Sequence, residues 1–351
     1  MYLVTNGRLI TRDPDGKGYY EHGAVAYEGS QIVEVGEESA LRAKYADAEI
    51  IDAKGGVIMP ALINAHTHIY SALARGLSIV GNNPTNFYEV LDGTWWAIDR
   101  HLMMDGTRAS ATALYMDSIK QGVTTIFDHH ASYGEIPGTL HTIAEESKRL
   151  GLRSCLCYEV SDRDGEEKCL QAIQENADFI SECEKNKDPM LAAMFGGHAL
   201  FTISDKTFDR MVEANNGRTG YHIHVSEGMN DVYDSLQNYG RRPVQRLQDH
   251  GILGEKTILG HCIHVNTAEM EIIKETGTMV VNNPESNMGN AIGICPVLQL
   301  HKRGILLGMG TDAYTNDMLE SLKVALCSQR SQNCLPNVGW CEVTDMLFKN
   351  N

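Results

Sequence analysis

This sequence contains two closely spaced histidine pairs and an aspartate that could bind a metal ion. His66 and His68 are separated by one residue, as are His222 and His224, and Asp312 follows a Gly-Met-Gly-Thr run. Side chains alternate between the two faces of a β-strand, so a His-x-His pair directs both imidazoles to one side. Zinc and similar divalent metals prefer imidazole and carboxylate ligands. The pattern therefore predicts a metal site, and one histidine of the second pair would complete it.

The elements that must position these residues follow the pattern of a parallel sheet. After about residue 58, short apolar runs alternate with longer amphipathic segments, which is typical of βα repeats. We predict strands over 57–64, 124–128, 153–159, 190–195, 220–225, 257–260, 278–282 and 304–308. Helices are predicted over 107–121, 140–150, 166–184, 205–214, 242–250, 267–275 and 296–302. The expected fold is an α/β protein with a closed (β/α)8 TIM barrel, whose active sites lie at the carboxyl ends of the strands.

The first 58 residues have a different pattern. Short β-type runs over 25–27, 31–35 and 49–51 are separated by turn residues, which predicts a small antiparallel sheet. We expect two domains: residues 1–58 as the N-terminal part of a small β-sandwich, and residues 59–351 as the metal-dependent barrel.

Composition and charge narrow the classes of partner. The net charge is −16 and no basic cluster is present, which argues against a nucleic-acid-binding surface. No apolar run approaches membrane-spanning length, and the first residues lack the features of a secretory signal. Nine cysteines are scattered without a Cys-x-x-Cys pair, as expected in a reducing compartment. We expect a cytoplasmic protein with a small-molecule substrate and no membrane partner; a homo-oligomer is compatible with the sequence.

Four motifs, taken in order, resemble the amidohydrolase superfamily. They are Met-Pro-Ala-Leu-Ile-Asn-Ala-His-Thr-His over 59–68, His-Val-Ser-Glu over 224–227, His-Cys over 261–262 and Gly-Thr-Asp over 310–312. Within the superfamily they are most similar to the cytosine deaminase and triazine hydrolase branch, and there to the SsnA-type aminohydrolases. The resemblance implies that His66, His68, His224 and Asp312 bind one divalent metal ion, zinc, with iron as the alternative. Relatives with two metals carry a carboxylated lysine after the fourth strand, and residues 190–198 contain no lysine.

The same resemblance implies a role for each further residue. A divalent metal can lower the pKa of a bound water from 15.7 to about 7. Asp312 would take the water proton, and His261 would orient the water and stabilise the developing charge. Glu227 would protonate a ring nitrogen of the substrate and then pass a proton to the leaving group. The implied reaction is deamination of a cyclic amidine or an aminated heterocycle, with release of ammonia.

Other polar and aromatic residues have weaker signals. His198 matches a substrate-contacting histidine of the family, and His264 could line the pocket or lie behind it. We interpret His222, His129 and His130 as structural. Trp95 and Trp96 are adjacent in a helical segment, so we expect only one of them to face the pocket and the other to lie in the core. The segment 283–288 resembles one that shapes the rim of the family's pocket.

Two rival interpretations remain at this level. Another ring hydrolase of the same branch, such as a hydrolytic dechlorinase, could use the same metal site. Alternatively, the chain could be a non-catalytic relative. Family members continue beyond the helix that follows strand eight, whereas this sequence stops at Asn351. We therefore expect a chain truncated at its C-terminus, an incomplete β-sandwich and reduced stability.

Overall fold

Eight parallel strands form a barrel in the computed structural model, which describes residues 1–351. Contacts divide the chain into two compact units, Met1–Ala61 and Leu62–Asn351. The eight parallel strands confirm the predicted α/β barrel fold. No helix combines the length and apolar character that a membrane crossing requires.

The first unit is a five-stranded sheet with one helix. Its elements are β1 (Tyr2–Ile10), β2 (Tyr19–Glu28), β3 (Gln31–Glu37), α1 (Glu38–Lys44), β4 (Glu49–Asp52) and β5 (Val57–Ile58). The strand order is β3-β2-β1-β4, with β5 paired to β1. The prediction of an antiparallel sheet is only partly right, because β4 and β5 run parallel to β1. The helix α1 carries the chain back across the sheet, as a parallel connection requires.

The barrel strands lie in two sheets that meet at both edges. They are β6 (Leu62–Thr67), β7 (Val123–His130), β8 (Arg153–Tyr158), β9 (Leu191–Ala193), β10 (Phe195–Ala199), β11 (Tyr221–Val225), β12 (Ile258–His261), β13 (Met279–Asn282) and β14 (Leu307–Met309). The fourth strand is interrupted at Met194, so β9 pairs with β8 whereas β10 pairs with β11. Bridges between Val160 and Gly197 and between Thr67 and Asp312 join the two sheets.

Thirteen helices accompany the barrel strands. They are α2 (Phe87–Val90), α3 (Trp96–Asp99), α4 (Met104–Lys120), α5 (Thr139–Leu150), α6 (Glu166–Asn186), α7 (Asp205–Asn215), α8 (Met229–Tyr239), α9 (Pro243–Asp249), α10 (Thr267–Thr276), α11 (Pro284–Gly289), α12 (Val297–Lys302), α13 (Met318–Asn333) and α14 (Trp340–Asp345). The seven predicted helices are all present. Between α2 and α3, Leu91–Trp95 forms a turn of π-helix.

The core has an apolar shell and a polar centre. Between strands and helices, side chains such as Ile126, Leu140 and Phe179 are fully buried in one large cluster. Inside the barrel, small apolar residues such as Cys155 and Cys157 form a separate layer. Buried histidines occupy the carboxyl ends of the strands. Burying so many imidazoles is unfavourable unless each finds a partner, so their contacts identify the site.

Candidate metal and active site

Three imidazoles and a carboxylate converge where the strands end. The Nε2 atom of His68 lies 3.2 Å from Nε2 of His224 and 3.1 Å from Oδ1 of Asp312. The Nε2 atom of His66 lies 3.9 Å from the same Asp312 oxygen. Ligand atoms that each lie about 2.1 Å from one zinc ion are roughly 3–4 Å apart. The structure therefore brings the four predicted ligands together at one point.

The far sides of these imidazoles are held by acceptors. Nδ1 of His68 donates to the carbonyl of His129 at 2.6 Å, and Nδ1 of His224 donates to the carbonyl of His198 at 2.7 Å. Because each proton is on Nδ1, the lone pair of Nε2 faces the cluster. Hydrogen bonds of this kind orient metal-binding histidines. The donor set is that of a divalent metal site.

His66 gives a further indication that the site is built for a cation. Its Nε2 atom is buried and has no hydrogen-bond partner, although its Nδ1 lies 2.8 Å from Nε2 of His222. An orphaned buried nitrogen is rare, and a metal ion would satisfy it. His222, predicted to be a structural histidine, is buried directly behind this ligand.

Backbone contacts between the first and last strands place Asp312. The amides of Thr311 and Asp312 both donate to the carbonyl of His66, at 2.9 and 3.0 Å. Asp312 has a φ of 56°, in the left-handed region. A Cβ atom at Gly310 would lie 2.8 Å from Cβ of His66, so only glycine allows the two strands to approach this closely.

His261 and Glu227 lie beside the cluster. Nε2 of His261 is 3.5 Å from Oδ2 of Asp312 and 3.6 Å from Oε1 of Glu227. Its Nδ1 donates to Oδ1 of Asn287 at 2.7 Å, so the predicted rim segment also fixes the orientation of this imidazole. At the end of β11, the amide of Ser226 donates to Asp231 at 2.7 Å. This bond holds the turn that carries Glu227.

The two carboxylates are in opposite electrostatic environments. Burial raises the pKa of Glu227 well above its usual range, and the neighbouring charge of Asp312 raises it further. Burial also acts to raise the pKa of Asp312, but the neighbouring His68, His261 and Ser286 side chains together outweigh it and lower the pKa. Asp312 is therefore an acceptor, whereas Glu227 can carry a proton.

A cavity lies directly against the cluster. Its walls are His68, Tyr70, Phe87, Leu91, Trp95, Trp96, Glu159, His198, His224, Glu227, Ser286, Asn290, Asp312, Ala313 and Tyr314. The prediction that only one of Trp95 and Trp96 faces the pocket is wrong, because both line it. Phe87, Leu91 and Trp95 are spaced by four residues along one helical face, and the cavity also reaches the adjoining face that carries Trp96.

The remaining predicted residues lie in three different settings. His198 lines the cavity, and its Nδ1 is 2.8 Å from the hydroxyl of Thr202. His264 is half-buried, donates to the carbonyl of Ile292 at 2.9 Å and does not line the cavity. His129 donates from Nε2 to the carbonyl of Gly197 at 2.9 Å. His130 is buried and neither of its ring nitrogens has a partner.

Glu159 is a cavity residue that the sequence analysis did not single out. It follows β8 directly and lies 3.4 Å from Nη2 of Arg163 and 3.6 Å from Nδ1 of His129. Burial acts to raise the pKa of this carboxyl, but interactions with His198, His129 and Arg163 outweigh it and lower the pKa. Its place at the end of the third predicted strand was the available signal, since functional residues of barrels lie there.

Known proteins resemble this chain over most of its length. The profile of the Amidohydrolase family matches residues 57–344. The chain is 30% identical over 328 residues to the 5'-deoxyadenosine deaminase of Methanosarcina barkeri, a match that covers 92% of this chain and 72% of that protein. It is 31% identical over 313 residues to the 5-methylthioadenosine/S-adenosylhomocysteine deaminase of Syntrophobacter fumaroxidans, covering 88% and 68% of the two proteins. The solved adenosine deaminase of Xanthomonas campestris, with bound zinc, superposes with a TM-score of 0.81 at 23% identity, over 98% of this chain and 77% of that one.

Proposed function

The chain belongs to the Amidohydrolase family, and on this premise we propose that it is a metal-dependent aminohydrolase. It would replace the amino group of a cyclic amidine or aminated heterocycle with oxygen from water and release ammonia. The observation that carries the proposal is the convergence of His66, His68, His224 and Asp312 beside Glu227.

The four converging residues would hold one divalent metal, which we propose is zinc. When bound, such an ion makes water a nucleophile at neutral pH by lowering its pKa. Three imidazoles and one carboxylate suit zinc better than a hard, oxygen-preferring ion. A single ion is proposed because residues 190–198, in and just before the fourth strand, contain no lysine to bridge a second one.

The residues beside the cluster account for the proton transfers. Asp312, whose pKa is lowered, accepts a proton as water attacks the amidine carbon. Glu227 donates its proton to the ring nitrogen next to that carbon. His261 donates its Nδ1 proton to Asn287, so its Nε2 accepts a hydrogen bond from the attacking water and orients it. The carbon–oxygen bond forms and the carbon–nitrogen bond breaks. One water proton leaves with the amino group as ammonia, and the other restores Glu227, whose own proton is now on the ring nitrogen.

Aromatic residues favour a planar substrate. Phe87, Trp95 and Trp96 line the cavity, and such side chains stack on flat rings. The two curated relatives compared above are named for deamination of adenine nucleosides. We therefore propose an aminopurine or a related aminated ring as the substrate class. Glu227 suits deamination, because an amine leaving group requires a proton and this side chain can pass one to it.

The proposed function is tested by ammonia release from the zinc-loaded protein. A panel of 5'-deoxyadenosine, 5-methylthioadenosine, guanine and cytosine covers purine and pyrimidine rings. We expect ammonia from at least one compound, and none from the same panel after removal of zinc. Chloride release from a chlorinated triazine without ammonia release from any aminated ring would favour the dechlorinase interpretation.

Four further properties are proposals of lesser scope. A reducing, cytoplasmic location is proposed from the scattered spacing of the nine cysteines in the sequence. The interpretation of residues 1–58 as part of a β-sandwich and of residues 59–351 as the catalytic domain stays a prediction. Self-association and the closer resemblance to SsnA-type aminohydrolases are likewise predictions.

A further inference from the structure

Glu159 is a buried carboxylate with unused hydrogen-bonding capacity. It is 3% exposed and lines the cavity beside the metal cluster. Its side chain accepts one long hydrogen bond, from Nη2 of Arg163 at 3.4 Å. Arg163 is held more closely by Asp99, at 2.5 Å, so it compensates the charge of Glu159 only in part. A buried carboxylate normally accepts several hydrogen bonds, so Glu159 has acceptor capacity left for a ligand in the cavity that it lines.

His198 presents a second acceptor next to this carboxylate. The hydroxyl of Thr202 donates its hydrogen to the carbonyl of Ala199 at 2.9 Å. It can therefore only accept from the imidazole, which places the proton of the neutral His198 ring on Nδ1. The lone pair of Nε2 then lies 3.9 Å from Oε1 of Glu159. These two atoms cannot satisfy each other, since neither carries a hydrogen.

We propose that Glu159 and His198 form a two-acceptor subsite that selects a planar ligand edge with two adjacent N–H donors. The chemical class is an amidinium, a guanidinium, or an amino group next to a ring N–H. This deepens the proposed function, on which it rests: the substrate would carry this edge in addition to the carbon that is attacked. A site built around unpaired buried acceptors discriminates strongly against ligands that lack the donors.

The subsite is tested with two molecules of nearly the same size and shape. Benzamidine has two parallel N–H donors, whereas benzamide replaces one of them with a carbonyl acceptor. Binding of each to the zinc-loaded full chain is measured by calorimetry. We expect benzamidine to bind at least about tenfold more tightly than benzamide. A single hydrogen bond to a charged group contributes enough binding free energy to change the Kd by about this factor.

Three variants separate the subsite from general electrostatics. Glu159→Gln keeps the shape but replaces one acceptor with a donor, and should reduce the preference to about twofold or less. Thr202→Val removes the group that fixes the His198 tautomer and should weaken the preference. Asp99→Asn removes the other buried carboxylate beside Arg163, which does not line the cavity, and should leave the preference intact. Melting temperatures establish that each variant is folded.

The inference is wrong if the wild-type protein does not distinguish the two probes. It is also wrong if Asp99→Asn loses the preference as fully as Glu159→Gln. A third outcome is that the protein binds adenosine more tightly than 2',3'-dideoxyadenosine but shows no preference for benzamidine. The two acceptors would then bind a diol, and the inference would be overturned. Failure of the proposed function gives a different result. The protein would then release no ammonia, but it would still prefer benzamidine, and Glu159→Gln would still lose that preference. If Glu159→Gln does not fold, the wild-type ratio and Thr202→Val decide.

Discussion

The imidazoles that face the metal position are oriented from behind. His68 and His224 donate to backbone carbonyls, and His66 contacts another imidazole, His222. A substitution cannot remove a backbone carbonyl, because every residue has one, whereas it can remove the side chain of His222. His222 is therefore the partner whose contribution substitution can measure.

Replacing His222 with Phe should weaken metal binding without removing a ligand. The ring of His66 would lose the partner 2.8 Å from its Nδ1. Loss of such outer contacts typically reduces metal affinity about 10- to 100-fold. Competition with a chromophoric chelator measures the change. His264→Phe is the control, because its imidazole contacts the Ile292 carbonyl outside the cavity; an equal loss in both variants would contradict the account.

Replacing Glu227 with Gln should separate metal binding from turnover. The amide cannot deliver a proton to the ring nitrogen, and general acid catalysis typically contributes about 10²- to 10⁴-fold. The variant should keep its zinc, measured by elemental analysis, and lose turnover by that factor. Unchanged ammonia release would remove Glu227 from the mechanism.

The metal ligands were predictable from the sequence, but the full wall of the cavity was not. His-x-His spacing and strand-end aspartates are local patterns, and the resemblance selected His224 over His222. Glu159 also ends a predicted strand, but no His-x-His pair or family motif accompanies it. Its position depends on contacts with Arg163 and His129, and these form only when neighbouring strands are in register.

At the scale of elements, short strands and their ends position the site. The barrel strands were predictable because their apolar runs are bounded by turn residues. The helix α8 was not predicted, because Met229–Tyr239 is mostly polar and only Asp231, Val232 and Ser235 are buried. Its contribution is specific: Asp231 accepts hydrogen bonds from Ser226 and Phe201. The mixed sheet of the first unit depends on α1, which lies in a segment with no clear helical period.

Close packing between strands makes one glycine of the barrel sensitive to substitution. A Cβ atom at Gly220, just before β11, would lie 1.9 Å from the carbonyl oxygen of Lys256. Gly220→Ala should lower the free energy of unfolding by about 1–3 kcal/mol or more, measured by urea denaturation. The control is Gly260→Ala, where the nearest atom would be 3.6 Å away. Equal stability of the two variants would contradict the packing described for β11.

At the scale of the whole molecule, metal binding and folding are coupled. The four proposed ligands come from β6 and the residue after it, from β11 and from the segment after β14, so they are together only in the folded barrel. A ligand that binds only the native state stabilises it, by about 4 kcal/mol at a concentration 1,000 times its Kd. Chelation should therefore lower the melting temperature, and added zinc should restore it. A melting temperature that is insensitive to chelator would contradict the proposed site.

The central claim is that one metal ion at this cluster supports deamination. The most direct measurement is ammonia release from the metal-free protein as zinc is added in steps, with the best substrate of the panel. We predict that activity rises in proportion to zinc and stops rising at one equivalent per chain. Activity that continues to rise to two equivalents, or that is fully present before any zinc is added, would contradict the account.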